Sequence, residues 1–151
     1  MSDKLRFCNP ETMAKIPGCS QVVEMTGPGR IVVIAGQLGL DSSGKFAGSG
    51  DFRAQVVQAF ENLKIALAAV GANFEHVVKL NHYAINLRTN LSIIREVRDA
   101  YINRAAPPAS TAIGISELAM EGALYEVEAY AILPRANPAL AVLKKMRGTS
   151  A

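Results

Sequence analysis

Between Asp51 and Gly71 the apolar residues Val56, Phe60, Leu63, Leu67 and Val70 recur at three- and four-residue spacing. That spacing lines one face of an α-helix. Asp51 offers an acceptor side chain for the helix N-cap, and Gly71 suits the left-handed position that ends many helices. Leu91, Ile94, Val97 and Tyr101 form a second stripe, which predicts another helix capped by Asn90. Elsewhere the period shortens to two. Residues 22–26 and 30–35 are β-branched runs joined by Gly27-Pro28-Gly29 and predict a hairpin. Residues 39–50 read as a Gly/Ser-rich loop with a short strand at Lys45-Phe46-Ala47. Residues 77–87, rich in β-branched and aromatic side chains, predict a central strand. Pro107-Pro108 forbids helix continuation and opens a closing hairpin of two alternating segments, 109–115 and 124–133.

The predicted order is β-β-(β)-α-β-α-β-β, with no Gly-rich phosphate loop between strand and helix. The simplest packing is α+β, an antiparallel or mixed β-sheet with two helices on one face. The opposite face then lacks a cover, since residues 139–145 suffice for only a short helix. Burial against other subunits resolves that conflict. A single domain is expected over residues 1–134, followed by a basic C-terminal extension at 135–151 that is a short helix or disordered.

Composition narrows the function. The chain has 151 residues, of which 50% are apolar and 19% charged, enough for one domain with a real core. No stretch has the ~18 uninterrupted apolar residues of a membrane span. The charged first six residues lack the following apolar run of a signal peptide, so a cytoplasmic protein without a membrane partner is expected. Cys8 and Cys19 have no metal-ligand spacing and are too few for a disulfide framework; no metal or cofactor is expected. The formal charge is +3, but Arg135, Lys144, Lys145 and Arg147 in the extension account for +4. The remaining 12 basic and 13 acidic residues leave a body near neutral. With 6% aromatic residues and no Trp, this argues against a nucleic-acid partner.

The segment 124–131 carries the candidate chemistry. With period two, Leu124, Glu126, Glu128 and Tyr130 face one side, and Tyr125, Val127, Ala129 and Ala131 the other. Glu126 lies on an apolar strand, where partial burial raises a carboxyl pKa toward neutrality and suits it to activating water. Glu128 reads as a structural or solvated group. His82 shares a strand face with Leu80 and Ala84 and reads as a satisfied core or interface histidine, with Asn81 and Tyr83 opposite.

Pro107-Pro108-Ala109-Ser110-Thr111, followed by Glu126-Val127-Glu128-Ala129, resembles the end of the Rid family, the YjgF-like imine deaminases also called the L-PSP group. Ile34-Ala35-Gly36-Gln37 is similar to that family's Ser-Gly-Gln strand end, and Gly18-Cys19-Ser20-Gln21 to its Pro-Tyr-Ser-Gln stretch. Residues 55–71 and 77–80 match its central helix and the next strand, so the resemblance covers about residues 4–134. It implies a chorismate-mutase-like fold, a barrel-forming homotrimer, and small-molecule pockets between neighbouring subunits. It also implies that Glu126 positions water against a C=N carbon.

Three positions depart from the pattern. Ser110 stands where the family's imine deaminases carry an Arg that clamps the substrate carboxylate. Such a charge-assisted contact is worth about 1.5–3 kcal/mol, or roughly ten- to a hundredfold in binding. Cys19 replaces a pocket Tyr, and Ala35, beside Gly36, replaces a pocket Ser. An unperturbed Cys thiol is mostly protonated, and Cys19 has no His or Lys nearby in sequence, so it reads as a passive lining residue. Arg95 falls where many members have a cleft-facing Asn and offers an anion contact from the neighbouring subunit. Its ordinary reading is a solvated arginine among Glu96, Arg98 and Asp99. The expected function is a Rid-type hydrolase or deaminase of reactive enamines or imines. The alternatives are a non-catalytic ligand-binding or regulatory trimer and, ranked last, an endoribonuclease.

Overall fold

The computed structural model describes residues 4–14, 16–27 and 29–134, so the extension expected at 135–151 lies outside the described residues. In chain order the elements are β1 (Lys4–Cys8), β2 (Val22–Thr26), β3 (Gly29–Leu38), α1 (Phe52–Ala69), a 3-10 turn (Phe74–His76), β4 (Val77–Ile85), α2 (Leu87–Asp99), β5 (Ala109–Ile115) and β6 (Tyr125–Pro134). The main sheet has the order β3-β6-β4-β5. β6 runs antiparallel to both β3 and β4, while β5 runs parallel to β4, so the sheet is mixed.

Neither expected hairpin forms. β2 pairs with β1 in a separate two-stranded ribbon, and β6 inserts between β3 and β4 instead of pairing with β5. Alternation identifies a strand and its buried face but not its partner. Here α2 carries the chain from β4 across to β5, and such a crossover makes these two strands parallel neighbours. The residues at 45–47 make no more than a bridge, Leu40 with Phe46.

The first helix obeys its local signals. The Asp51 carboxylate accepts from Ala54 N at 3.1 Å. At the other end Gly71 has φ +73°, while Gly71 N and Ala72 N donate to Ala68 O and Leu67 O at 3.0 and 2.9 Å. This double bond is the Schellman stop. The second helix starts earlier than expected, with Asn86 rather than Asn90 at its cap. Asn86 takes φ +50°, a conformation that Asn tolerates better than most residues, and β4 turns into α2 without a loop. Asn90 instead donates its side-chain amide to Ile85 O at 3.1 Å.

Both helices cover one sheet face. Tyr125, Val127, Ala129 and Ala131 of β6 and Leu80, His82 and Ala84 of β4 are buried there with Val56, Phe60, Leu63 and Leu67 of α1. Gln55 is buried too: its amide donates to Gly122 O at 2.9 Å and accepts from Leu124 N at 2.8 Å, tying α1 to the entry of β6. The other face is bare in the isolated chain. Ile31 and Val33 are 63% and 66% exposed, and Tyr130 and Ile113 remain 39% and 46% exposed. The α+β architecture with two helices on one face is therefore the one expected.

Candidate functional site

Glu126 stands on the bare face, paired across strands with Leu38 and Tyr83. One extra residue in β3 between Ile34 and Gln37 breaks the β3–β6 register at this level. The resulting bulge holds the exposed Ala35 and then Gly36. A Cβ at position 36 would overlap Oε1 of Glu126, so the glycine leaves the space the carboxylate fills. Burial, reinforced by the negative charge of Glu128, raises the Glu126 pKa above the ordinary carboxylate value. Glu128 is structural: it accepts from Asn81 Nδ2 at 2.7 Å and Tyr83 Oη at 3.2 Å. No described residue donates a hydrogen bond to Glu126. It is the carboxylate on this face left free to handle a proton.

Ser110, Cys19 and Arg95 meet elsewhere. They line a cavity of about 180 Å³ between α2 and β5, on the helix-covered side of the sheet. Ser20 bridges to Ala109 and its N donates to Pro108 O at 3.2 Å, which seats the 17–20 segment beside β5 and Cys19 near Ser110. Arg95 is exposed and has no hydrogen-bond or ion-pair partner among the described residues. It also lines an adjoining cavity of about 300 Å³ with Arg98, Asp99 and Arg104. Arg98 is not the surface residue expected from its charge. It is 6% exposed, donates to Asp99 Oδ1 at 2.7 and 3.0 Å, and lies under Gly18, where a Cβ would come within 2.6 Å of its guanidinium.

Within one chain the expected site residues thus fall into two groups. Glu126 and Gly36, with Ala35 beside them in the bulge, occupy the bare face, and Cys19, Arg95 and Ser110 the cavity on the other side. Sequence reading did not find Arg98 or the partners of Ser110. No signal in the sequence pairs them: the parallel register that sets Leu80 opposite Ser110 and His82 opposite Ala112 emerges only from the fold.

His82 is 2% exposed and hydrogen-bonded on both sides, to Tyr125 Oη at 2.6 Å and Ser110 Oγ at 3.2 Å. It is the satisfied core histidine expected. Burial first, then the charges of Arg98 and Lys79, push its pKa down to about 3. An unfolded chain takes up that proton near pH 6.5, while the folded one stays neutral. His82 therefore contributes stability that is fully present above pH 6.5 and is lost as pH falls toward 3. Between pH 6 and 4 the loss from this residue is expected to approach about 1.4 kcal/mol per pH unit. Urea unfolding at several pH values measures it, and His82→Gln should flatten the slope in this range.

No group of three or more His, Cys, Asp or Glu side chains among the described residues is placed to hold a metal ion. No helix among them is long and apolar enough to cross a membrane.

A mixed four-stranded sheet with two helices on one face is the architecture of the YjgF-like class of α+β folds. The Endoribonuclease L-PSP family matches residues 12–133, and the chain belongs to this family, the Rid/YjgF group. Among solved structures it is similar to the Rid-family protein YyfB of Yersinia pestis, with 35% identity and a TM-score of 0.74 over 85% of this chain and 98% of that one. The 2-iminobutanoate/2-iminopropanoate deaminase of Dermatophagoides farinae is 29% identical over 133 residues, which span 88% of this chain and 99% of that protein. Protein DfrA of Myxococcus xanthus is 34% identical over 113 residues, 75% of this chain and 83% of its own length.

Proposed function

We propose that the protein is a Rid-type hydrolase of small imines or enamines, needing no cofactor and acting in the cytoplasm at pockets between subunits of a homotrimer. The observation that carries this reading is Glu126. It is a carboxylate of raised pKa, unclaimed by any donor among the described residues, on a sheet face whose apolar side chains need a partner surface. Packing the bare face against a neighbouring copy covers Ile31, Val33 and Tyr130 and brings Glu126 to a subunit boundary.

In the proposed reaction Glu126 accepts a proton from water as the water oxygen bonds to the C=N carbon. That proton passes to the nitrogen to give a carbinolamine; Glu126 then takes the proton of the new hydroxyl and delivers it to the nitrogen as the C–N bond breaks, and the products are a carbonyl compound and ammonia. Arg95 of the adjoining subunit holds the anionic group of the substrate, a task the family's Arg at position 110 otherwise performs. Ala35 and Gly36 give the acid room, and Cys19 lines the pocket without taking part.

Generating 2-iminobutanoate in place with an amino-acid oxidase and following 2-oxobutanoate release tests the reaction. Release faster than the spontaneous rate is expected, with weak saturation because Ser110 is no clamp. Ser110→Arg should lower KM by about tenfold or more. No acceleration in either protein overturns the reading in favour of a binding-only trimer. Light scattering is expected to give the trimer mass at micromolar concentration, and a monomer mass would remove the shared pocket.

A further inference from the structure

At the end of α2 a second cavity carries more positive charge than its own residues neutralise. Arg95, Arg98 and Asp99 are spaced three and four positions apart and so share one side of the helix. Past the helix the chain runs through Ile102 and brings Arg104 to the same cavity, and Pro17 and Gly18 close it from another segment. Gly18 takes φ +79°, and a Cβ there would come within 2.6 Å of Arg98 Nη2, so the glycine lets the backbone lie directly against the guanidinium. The enclosed space is about 300 Å³, at the small end of ligand pockets.

Asp99 is the acid in this lining, and it is outnumbered. Its Oδ1 accepts from Arg98 Nε and Nη2 at 3.0 and 2.7 Å. Its Oδ2 lies 3.7 Å from Arg104 Nε, an ion pair too long for a hydrogen bond. Three guanidinium groups against one carboxylate leave a local charge of about +2. The Arg98 side chain is only 8% exposed, yet its Nη1 has no partner among the described residues. The carbonyls at this end of α2 do not claim the free donors. Val97 O accepts from Ala100 N at 3.1 Å, and Arg98 O from Tyr101 N and Ile102 N at 2.9 and 3.2 Å. A buried charged donor left without an acceptor is unfavourable, and an anion from outside relieves it.

A dianion balances the charge that Asp99 leaves over. A tetrahedral phosphate also offers several acceptor oxygens to guanidinium forks arriving from different elements. As a monoester it carries a charge of about −2 near neutral pH. Ile102, Pro17 and Pro107 add apolar wall for a small carbon group beside the arginines. We propose that this cavity binds the phosphate group of a small phosphate monoester, held by Arg98 and Arg104 with Arg95 at its edge. Ser110, Cys19 and His82 take no part, since they line the neighbouring cavity instead. The site goes beyond the imine-hydrolase reading, and binding there does not use Glu126.

Calorimetric titration at pH 7.5 with glycerol 3-phosphate, inorganic phosphate and glycerol tests it without turnover. The ester is expected to bind wild type, inorganic phosphate to bind more weakly, and glycerol not to bind. Propanoate, a monoanion, should not displace the ester at equal concentration. Arg104→Ala alters an exposed side chain and is expected to weaken the ester about tenfold, while Ser110→Ala leaves its affinity unchanged. Arg98→Lys keeps the charge but loses the fork, and should weaken the ester several-fold. No binding at millimolar ester, displacement by propanoate, inorganic phosphate binding as tightly as the ester, or Ser110→Ala matching the loss in Arg104→Ala would overturn the proposal. Should Arg98→Lys fail to fold, Arg104→Ala and Ser110→Ala still decide. Glu126→Gln is expected to bind the ester as wild type does, so absence of imine hydrolysis with these results intact would sink the hydrolase reading alone.

Discussion

Glu126→Gln is expected to lower imine turnover by about 10²–10⁴, the range that general acid–base groups contribute. The amide keeps the shape of the carboxylate, so it still fits over Gly36. What disappears is the capacity to take a proton from water and return it to nitrogen. Assembly and ligand binding should persist, and kcat should fall while KM changes little. Removing the charge also relieves repulsion from Glu128, which itself contributes to the raised pKa of Glu126, so no loss of stability is expected. The same raised pKa sets the acid limb of the wild-type pH profile. The proposed reaction needs the ionised form, so the rate should be full above that raised pKa and decline as pH falls through it. Steady-state kinetics from pH 4.5 to 8, beside thermal melts of both proteins, checks all three statements. A Gln variant retaining wild-type kcat would remove Glu126 from the chemistry.

Gly36→Ala is the second large effect, and it reaches Glu126 without altering it. A methyl group at position 36 enters the space of Oε1 and comes within 2.5 Å of the carboxyl carbon. The obstructed atoms are the end of a flexible side chain, so the carboxylate can swing away at small cost to the fold. Displacement of about 1 Å at a reacting group costs on the order of a hundredfold in rate. We expect kcat to drop by about that factor with the melting temperature nearly unchanged. Gly39→Ala is the contrasting case. Its Cβ would come within 2.5 Å of Gln55 Cα and 2.6 Å of Gln55 O, backbone atoms that cannot swing aside. Overpacking there should cost about 1–3 kcal/mol of stability. Kinetics and melts on the two variants separate a site glycine from a packing glycine.

The faces of the strands were legible in the sequence, and their partners were not. Period-two alternation placed Tyr125, Val127, Ala129 and Ala131 in the core and Glu126 and Glu128 opposite, as the structure has them. The same alternation is indifferent to which strand lies alongside, so two hairpins were expected where β6 instead fills the gap between β3 and β4. β1 escaped notice because its five residues, Lys4–Cys8, mix charged Lys4 and Arg6 with Leu5 and Phe7. Its pairing with β2 includes an exposed ion pair, Arg6 with Glu24 at 2.7 Å. For the site, the acid was legible because it interrupts an apolar strand. The tyrosine–histidine–serine chain was not, since Ser110 lies 28 residues from His82 and Tyr125 lies 43 from it. Only the β4-α2-β5 crossover brings the first pair together, and only the insertion of β6 beside β4 brings the second. Arg98 misled in the opposite direction: its charge suggests solvent, while its position beside Val97 on α2 and the salt bridge to Asp99 take it into the protein.

In one chain Glu126 and Arg95 belong to opposite sides of the sheet, so the account requires each working pocket to draw them from different subunits. Subunit complementation measures this directly. Glu126→Gln and Arg95→Ala proteins, each assembled alone, should be nearly inactive at low concentrations of a carboxylated imine. Co-expressed or unfolded and refolded together, they form mixed trimers in which one boundary pairs an intact Glu126 with an intact Arg95. Recovery of up to about a third of wild-type turnover, the fraction of sites that three-fold symmetry leaves whole, is the expected result. Mixed trimers no more active than their parents would contradict a site shared between subunits.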